Sequence, residues 1–78
     1  MKILRKPEVL DRTGWSNPTL YNKINDGLFP PGFSIGKRAV GWLDTEVDKY
    51  ILAMVAGESA DELRVLVKKL LLERKGAA

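Results

Sequence analysis

The chain has 78 residues, a formal net charge of +3 and neither cysteine nor histidine. A chain of this length forms one domain with a modest core. The missing residue types exclude a disulfide scaffold, the common zinc sites and most nucleophile–histidine arrangements. We therefore expect neither enzyme activity nor a cofactor. No apolar run reaches membrane-spanning length and the N-terminus lacks a signal-peptide pattern, which predicts a soluble cytoplasmic protein without a membrane partner.

The charged residues are unevenly distributed along the chain. Residues 1–42 carry seven lysines and arginines against three acids, a net charge of +4, whereas residues 43–78 carry six against seven, a net charge of −1. A polyanionic partner is the physical expectation for the basic half. On charge alone, a solvated surface that happens to be basic is the alternative.

Two short helical patterns flank a tight break near the N-terminus. Residues 1–5 are interpreted as a short extended piece that packs under the first helix, which begins at Lys6-Pro7 and runs to about Arg12. Gly14 can take the left-handed conformation that ends a helix, and Ser16 stands where the N-cap of a second helix belongs. Helix, glycine-containing turn and helix form the outline of a helix-turn-helix.

The second helix spans about Asn17 to Asp26 and has two different faces. At about 100° per residue, Leu20 and Ile24 share a buried face. Asn22 and Asn25 lie opposite it, and Tyr21 lies on the flank. The exposed surface is therefore rich in Asn, Tyr and Thr. An Asn side chain can bond bidentately to adenine in the major groove, and Tyr and Ser hydroxyls commonly bond phosphate. An ordinary polar surface is the alternative, but asparagine is a poor helix former. This composition therefore favours a function for the exposed face.

A predicted β-hairpin follows the second helix, which Gly27 ends. Its strands are Phe33–Ile35 and Ala39–Trp42, joined by a tight turn that contains Lys37 and Arg38. Because an isolated hairpin is only marginally stable, it must lean on the helices and leave its tip projecting. A hairpin with two cations at its tip, placed after a helix-turn-helix, is typical of the wing of a winged helix. We expect a phosphate or minor-groove contact, with a merely solvated turn as the alternative.

A third helix closes the predicted core. Asp44 can cap it, Gly57 ends it, and its acids argue against DNA contact. Trp15 is interpreted as a core plug between the short helices rather than as a DNA contact. The apolar stripe of the third helix consists of Val47, Ile51, Met54 and Val55.

The C-terminal helix begins with a capping box, Ser59 to Glu62, runs to about Lys75 and stops at Gly76. The winged-helix core looks complete without this helix, so its apolar face must fold back on its own domain or meet another chain. A homodimer is the favoured alternative, because an exposed stripe of this size would invite association. The residues proposed for that dimer contact are Leu63, Leu66, Val67 and Leu70.

The predicted fold class is mainly α with a small β-hairpin. Residues 1–56 form a winged helix-turn-helix DNA-binding domain, and residues 57–78 form an additional C-terminal amphipathic helix. The predicted function is sequence-specific binding of double-stranded DNA. The alternative is a protein-interaction adaptor, antirepressor-like, that acts through the C-terminal helix. The candidate DNA-binding residues are Ser16, Asn17, Thr19, Tyr21, Asn22, Lys23, Asn25, Lys37 and Arg38.

The residues of these elements resemble a known family. The string EVLDRTGWSNPTLYNKINDGLFP, followed by IGKRAVGWLDTEVDKYI, is similar to the AlpA family of prophage transcriptional regulators. The resemblance covers about Ile3 to Met54. Its most specific parts are Thr13-Gly14, Ser16, Thr19-Leu20-Tyr21, Arg38-Ala39-Val40-Gly41-Trp42, Glu46-Val47 and Tyr50.

The resemblance implies a MerR-like winged helix related to phage excisionases. Such proteins activate an integrase or excisionase gene, or act directly as a directionality factor in excision, so integrase or RNA polymerase would be a further partner. The chain departs from the family pattern at Asn17-Pro18, where members often have a basic residue followed by Ser or Thr. The positions that the family pattern places against DNA are Ser16, Asn17, Thr19, Tyr21, Asn22, Lys37 and Arg38.

Overall fold

The computed structural model describes residues 1–76, which form four helices and three short strands. The fold class matches the prediction: mainly helical, with a β-hairpin wing and an additional C-terminal helix. None of the helices in these residues has both the length and the mean hydropathy to cross a membrane. In chain order the elements are β1 (Ile3–Leu4), α1 (Lys6–Thr13), α2 (Asn17–Asn25), β2 (Phe33–Gly36), β3 (Ala39–Leu43), α3 (Asp44–Val55) and α4 (Ala60–Gly76).

The turn between α1 and α2 is built from the predicted local signals. Gly14 has a φ of +74° and donates its backbone N–H to Leu10 O at 2.8 Å. The Thr13 hydroxyl donates to Val9 O at 2.9 Å and accepts from the backbone N–H of Trp15 at 3.3 Å. These bonds satisfy the free groups at the end of α1. They also fix the direction in which α2 starts.

The sheet joins the N-terminus to the wing. Its strand order is β1-β3-β2, all antiparallel, with Leu4 opposite Trp42. The N-terminal segment is therefore extended as predicted, but it pairs as a strand with β3. A Cβ built at Gly41 would lie 2.5 Å from Ile3 Cγ2 and 3.2 Å from Leu4 O, so a larger residue at this position would displace the Ile3 side chain.

The core is formed by one buried side-chain cluster. Trp15 packs edge-on against Phe29 and Tyr50, with ring centroids 5.2 and 6.0 Å away, which confirms that it is a core residue. The Trp42 indole N–H donates to Pro30 O at 2.9 Å and fixes the turn before β2. Burial raises the pKa of Tyr50. The cluster consists of Leu4, Val9, Leu20, Phe29, Trp42, Val47, Tyr50 and Val67.

Two predictions for α3 are wrong. Asp44 is the first helical residue rather than the cap, and its carboxylate accepts from the backbone N–H groups of Lys2 at 3.0 Å and Thr45 at 2.7 Å. Val55 is 79% exposed rather than part of the buried stripe. The buried face is centred on Tyr50, and at about 100° per residue Val55 lies about 140° around the helix from it.

Helix α4 packs on its own chain. Val67 and Leu70 are buried, and Leu63 and Leu66 pack against the same core. Of the two alternatives for this helix, packing on its own domain is the arrangement within this chain. Residues 57–76 thus belong to the same packed unit as the winged helix. Ala77 and Ala78, the last residues of the predicted segment, lie outside the described residues.

Candidate nucleic-acid interface

Helix α2 presents an amide-rich face to solvent. Leu20 is fully buried and Ile24 packs against the core, as predicted, so the helix is anchored along one side. Asn17, Asn22 and Asn25 are exposed. These three asparagines therefore have the freedom that contacts with base edges require.

The hydroxyl groups at the start of α2 are organised by its cap. Ser16 Oγ accepts from the backbone N–H of Thr19 at 3.4 Å and lies 2.9 Å from Thr19 Oγ1. Ser16 is exposed, whereas Thr19 is half-buried. The N-terminal end of a helix favours anions, so this hydroxyl pair stands where a phosphate oxygen would be stabilised.

Two lysines of the basic half lie against aromatic rings. Lys23 Nζ is 5.8 Å from the Trp15 ring centroid, and Lys6 Nζ is 5.5 Å from that of Tyr21. Such contacts are weakly favourable and hold a long side chain without neutralising its charge. Tyr21 itself is 45% exposed, which places its hydroxyl at the edge of the α2 surface.

The wing projects its two cations. Lys37 and Arg38 form the turn between β2 and β3, and both are exposed. Arg38 has a φ of +59°, a left-handed conformation that is uncommon for an arginine. An arginine thus occupies a left-handed turn position that more often holds a glycine.

The cations of the basic half fall into two groups within the described residues. Lys2 pairs with Glu8 at 3.3 Å and Arg12 pairs with Asp48 at 3.0 Å. The charged side-chain nitrogens of the remaining cations have no carboxylate oxygen within 4.0 Å, so their positive field is not locally cancelled. They are Arg5, Lys6, Lys23, Lys37 and Arg38.

Arg5 and Lys6 are additions that sequence reasoning missed. They follow β1, which the sheet register places beside β3 and hence near the wing. Glu8, the acid that follows them, accepts from the backbone N–H of Arg5 at 3.2 Å and from Lys2 Nζ at 3.3 Å. These two bonds hold the pKa of Glu8 below its ordinary value and engage its charge away from Lys6. A predicted pairing of the N-terminal strand with the hairpin would have indicated that Arg5 and Lys6 lie near the wing.

A sequence model of the family described as "Prophage CP4-57 regulatory protein (AlpA)" matches residues 2–54, more than half of the chain. The chain belongs to this family. The match covers β1, both helices of the helix-turn-helix, the wing and all but the last residue of α3. The part of this AlpA-family chain that forms α4 lies outside the match.

Two relatives are similar to this chain, and one of them bears the family's name. The uncharacterized protein ORF88 of Enterobacteria phage P4 is 41% identical over 56 residues, which are 72% of this chain and 64% of that protein. The DNA-binding transcriptional activator AlpA of Escherichia coli is 33% identical over 57 residues, which are 65% of this chain and 81% of that protein. The chain thus spans slightly less than two thirds of the phage P4 relative.

Proposed function

We propose that this AlpA-family chain is a sequence-specific DNA-binding transcriptional regulator of prophage or genomic-island origin that controls integrase expression or excision. The Escherichia coli relative bears the name of a DNA-binding transcriptional activator. The observation that carries the proposal is that Tyr21 of α2 and Arg38 of the wing line one cleft, next to a helix whose asparagines are exposed. This combination supplies both base-reading amides and phosphate-binding charge.

The proposed binding mode places α2 in the major groove and the wing along the backbone or in the minor groove. Asn17, Asn22 and Asn25 would read base edges, since an asparagine can bond to adenine N6 and N7. The positioning contacts to phosphate would come from Ser16, Thr19, Tyr21, Lys23, Lys37 and Arg38.

One winged helix of this size covers a short stretch of duplex. A useful operator complex then requires binding to adjacent sites, either as a dimer or in tandem. Leu63, Leu66, Val67 and Leu70 pack within the chain, which favours a contact between neighbouring protomers through other residues.

An activator and an excision factor would share this DNA surface and differ in the second contact. An activator needs a contact with RNA polymerase, whereas an excision factor needs a contact with integrase and a bent DNA.

The adaptor alternative depended on a free apolar face of α4. Leu63, Leu66 and Val67 of that face pack against the core, whereas Val65 and Leu72 stay exposed, so the structure supports the adaptor less than it supports DNA binding.

The salt dependence of duplex binding tests the proposal. Replacing both Lys37 and Arg38 by Ala should weaken binding and reduce the slope of log K against log salt by about one for each phosphate that the variant no longer touches. The matched control replaces Lys68 and Lys69, two exposed lysines on α4, by Ala and should leave the slope unchanged. Equal slopes for the wild type and both folded variants would contradict the proposed role of the wing.

A further inference from the structure

A basic cleft lies where the start of α1, the middle of α2 and the wing meet. Its volume is about 280 Å³. Its lining residues are Arg5, Lys6, Pro7, Tyr21, Arg38 and Val40. We propose that this basic cleft binds one backbone phosphate of the DNA duplex, which makes Arg5 and Lys6 binding residues outside the helix-turn-helix. This inference rests on the proposed function.

The sheet register explains why residues so distant in sequence share the cleft. Leu4 of β1 lies opposite Trp42 of β3, and the two strands are antiparallel. The chain that leaves β1 at Arg5 therefore runs beside β3 in the direction of Arg38. Three cations, two from the N-terminus and one from the wing, converge on one opening as a result.

The chemistry of the lining fits a phosphate. A guanidinium presents a planar fork of N–H donors that matches two phosphate oxygens, and the Lys6 ammonium adds a point charge. Tyr21 contributes a hydroxyl that makes no side-chain hydrogen bond within residues 1–76. None of the three cations has a carboxylate partner among the described residues, so an anionic group would supply the missing counter-charge.

The position of the cleft favours a phosphate of duplex DNA over a free anion. Tyr21 belongs to α2 and Arg38 to the wing tip, so the lining joins the two elements proposed to contact DNA. A strand that follows the major groove at α2 and then passes the wing would cross this opening. The cleft would then fix the register of α2 on the duplex rather than read sequence.

The first test is the salt slope of a variant in which Arg5 and Lys6 are both replaced by Ala. Removal of one phosphate interaction should make the slope of log K against log salt shallower by about 0.9. Between about 1 M and about 0.1 M salt, the affinity of the variant should therefore rise roughly eightfold less than that of the wild type. The weakening should be the same for every duplex sequence. The variant with Lys68 and Lys69 replaced by Ala carries the same charge change and should keep the wild-type slope.

A scan of duplexes that each carry one neutral methylphosphonate locates the contact. The wild type and the α4 control should lose affinity at one phosphate that the Arg5/Lys6 variant no longer senses. Tyr21→Phe, which keeps the ring under Lys6, should lose part of the same effect and serves if the double variant does not fold. The inference would be overturned if neutralising that phosphate weakened binding equally in the wild type and in all variants. It would also be overturned if the cleft bound inorganic phosphate while the Arg5/Lys6 variant kept the wild-type salt slope for duplex binding. Failure of the wild type to bind any duplex would instead overturn the proposed function, and this inference with it.

Discussion

The guanidinium of Arg74 and the carboxylate of Glu46 form a two-point ion pair. Arg74 Nη2 and Nε donate to Glu46 Oε1 and Oε2 at 2.7 and 2.8 Å, and the two side chains are only 18% and 5% exposed. The guanidinium also lies 5.2 Å from the centroid of the Phe33 ring in β2. One residue near the end of α4 thus fastens that helix to the first turn of α3 and to the base of the wing.

Arg74→Ala should destabilise the fold by about 3–5 kcal/mol, because it leaves the Glu46 charge buried without its partner. The control is Lys49→Ala, which breaks a pair with Glu73 at 3.5 Å whose members are about half exposed and should cost less than about 1 kcal/mol. Urea unfolding monitored by circular dichroism measures both. If the two variants lost equal stability, the buried pair would not have the role assigned to it.

Leu70→Ala should reduce stability by about 2–5 kcal/mol, since it removes a fully packed side chain from the core. Leu72→Ala on the same helix is the matched control, because Leu72 is 68% exposed and its truncation should change stability by less than about 0.5 kcal/mol. Sedimentation should give the same mass for the wild type and for Leu72→Ala. If the wild type were a dimer and Leu70→Ala a folded monomer, Leu70 would serve assembly instead of the core of its own chain.

The decrease in the free energy of unfolding at acid pH should depend partly on Asp44. Hydrogen bonds from the backbone N–H groups of Lys2 and Thr45 hold the pKa of Asp44 below its ordinary value of 3.8. The folded state therefore binds this proton more weakly than the unfolded chain. The stabilisation is present above pH 3.8 and is lost as the pH falls through the lower folded pKa.

Asp44→Asn keeps an oxygen acceptor but cannot titrate. We expect it to be less stable than the wild type at neutral pH and to lose less stability on acidification. Glu58→Gln changes an exposed carboxylate whose side chain makes no hydrogen bond in residues 1–76, and it serves as the control. Parallel pH curves for the wild type and Asp44→Asn would rule out this contribution.

Asn22→Ala should change which DNA sequences are bound, whereas Lys37→Ala should weaken all of them alike. Removal of a bidentate bond to a base takes away about 1–3 kcal/mol of discrimination at one position. An interaction with phosphate carries no sequence information. The two effects are separated by measuring affinity for a panel of duplexes that each differ by one base pair from a preferred binding site. A uniform loss of affinity for Asn22→Ala would remove this residue from the base-reading set.

Much of the helix-turn-helix could be predicted because its signals are local. Gly14 and Ser16 determine where one helix ends and the next begins through bonds to residues at most four positions away. The hairpin was readable from the short apolar strands around Lys37 and Arg38 for the same reason. Such signals depend on backbone conformations that a few neighbouring residues decide.

The features that could not be predicted depend on long-range packing. The Glu46–Arg74 pair joins residues 28 positions apart, and the sequence interpretation assigned Glu46 no partner. The sequence did not decide whether α4 packs on its own domain or on another chain, since an amphipathic pattern identifies an apolar face but not what covers it. Arg5 and Lys6 enter the site only through the register of β1 on β3.

Selection from a pool of random duplexes at moderate salt, followed by sequencing, tests DNA recognition most directly. We expect enrichment of a short motif, with repeats whose spacing reports whether protomers bind singly, in pairs or in tandem. The enriched site should be bound with a strong salt dependence. The absence of any enriched motif for a protein that is folded by circular dichroism would contradict sequence-specific DNA binding by this chain.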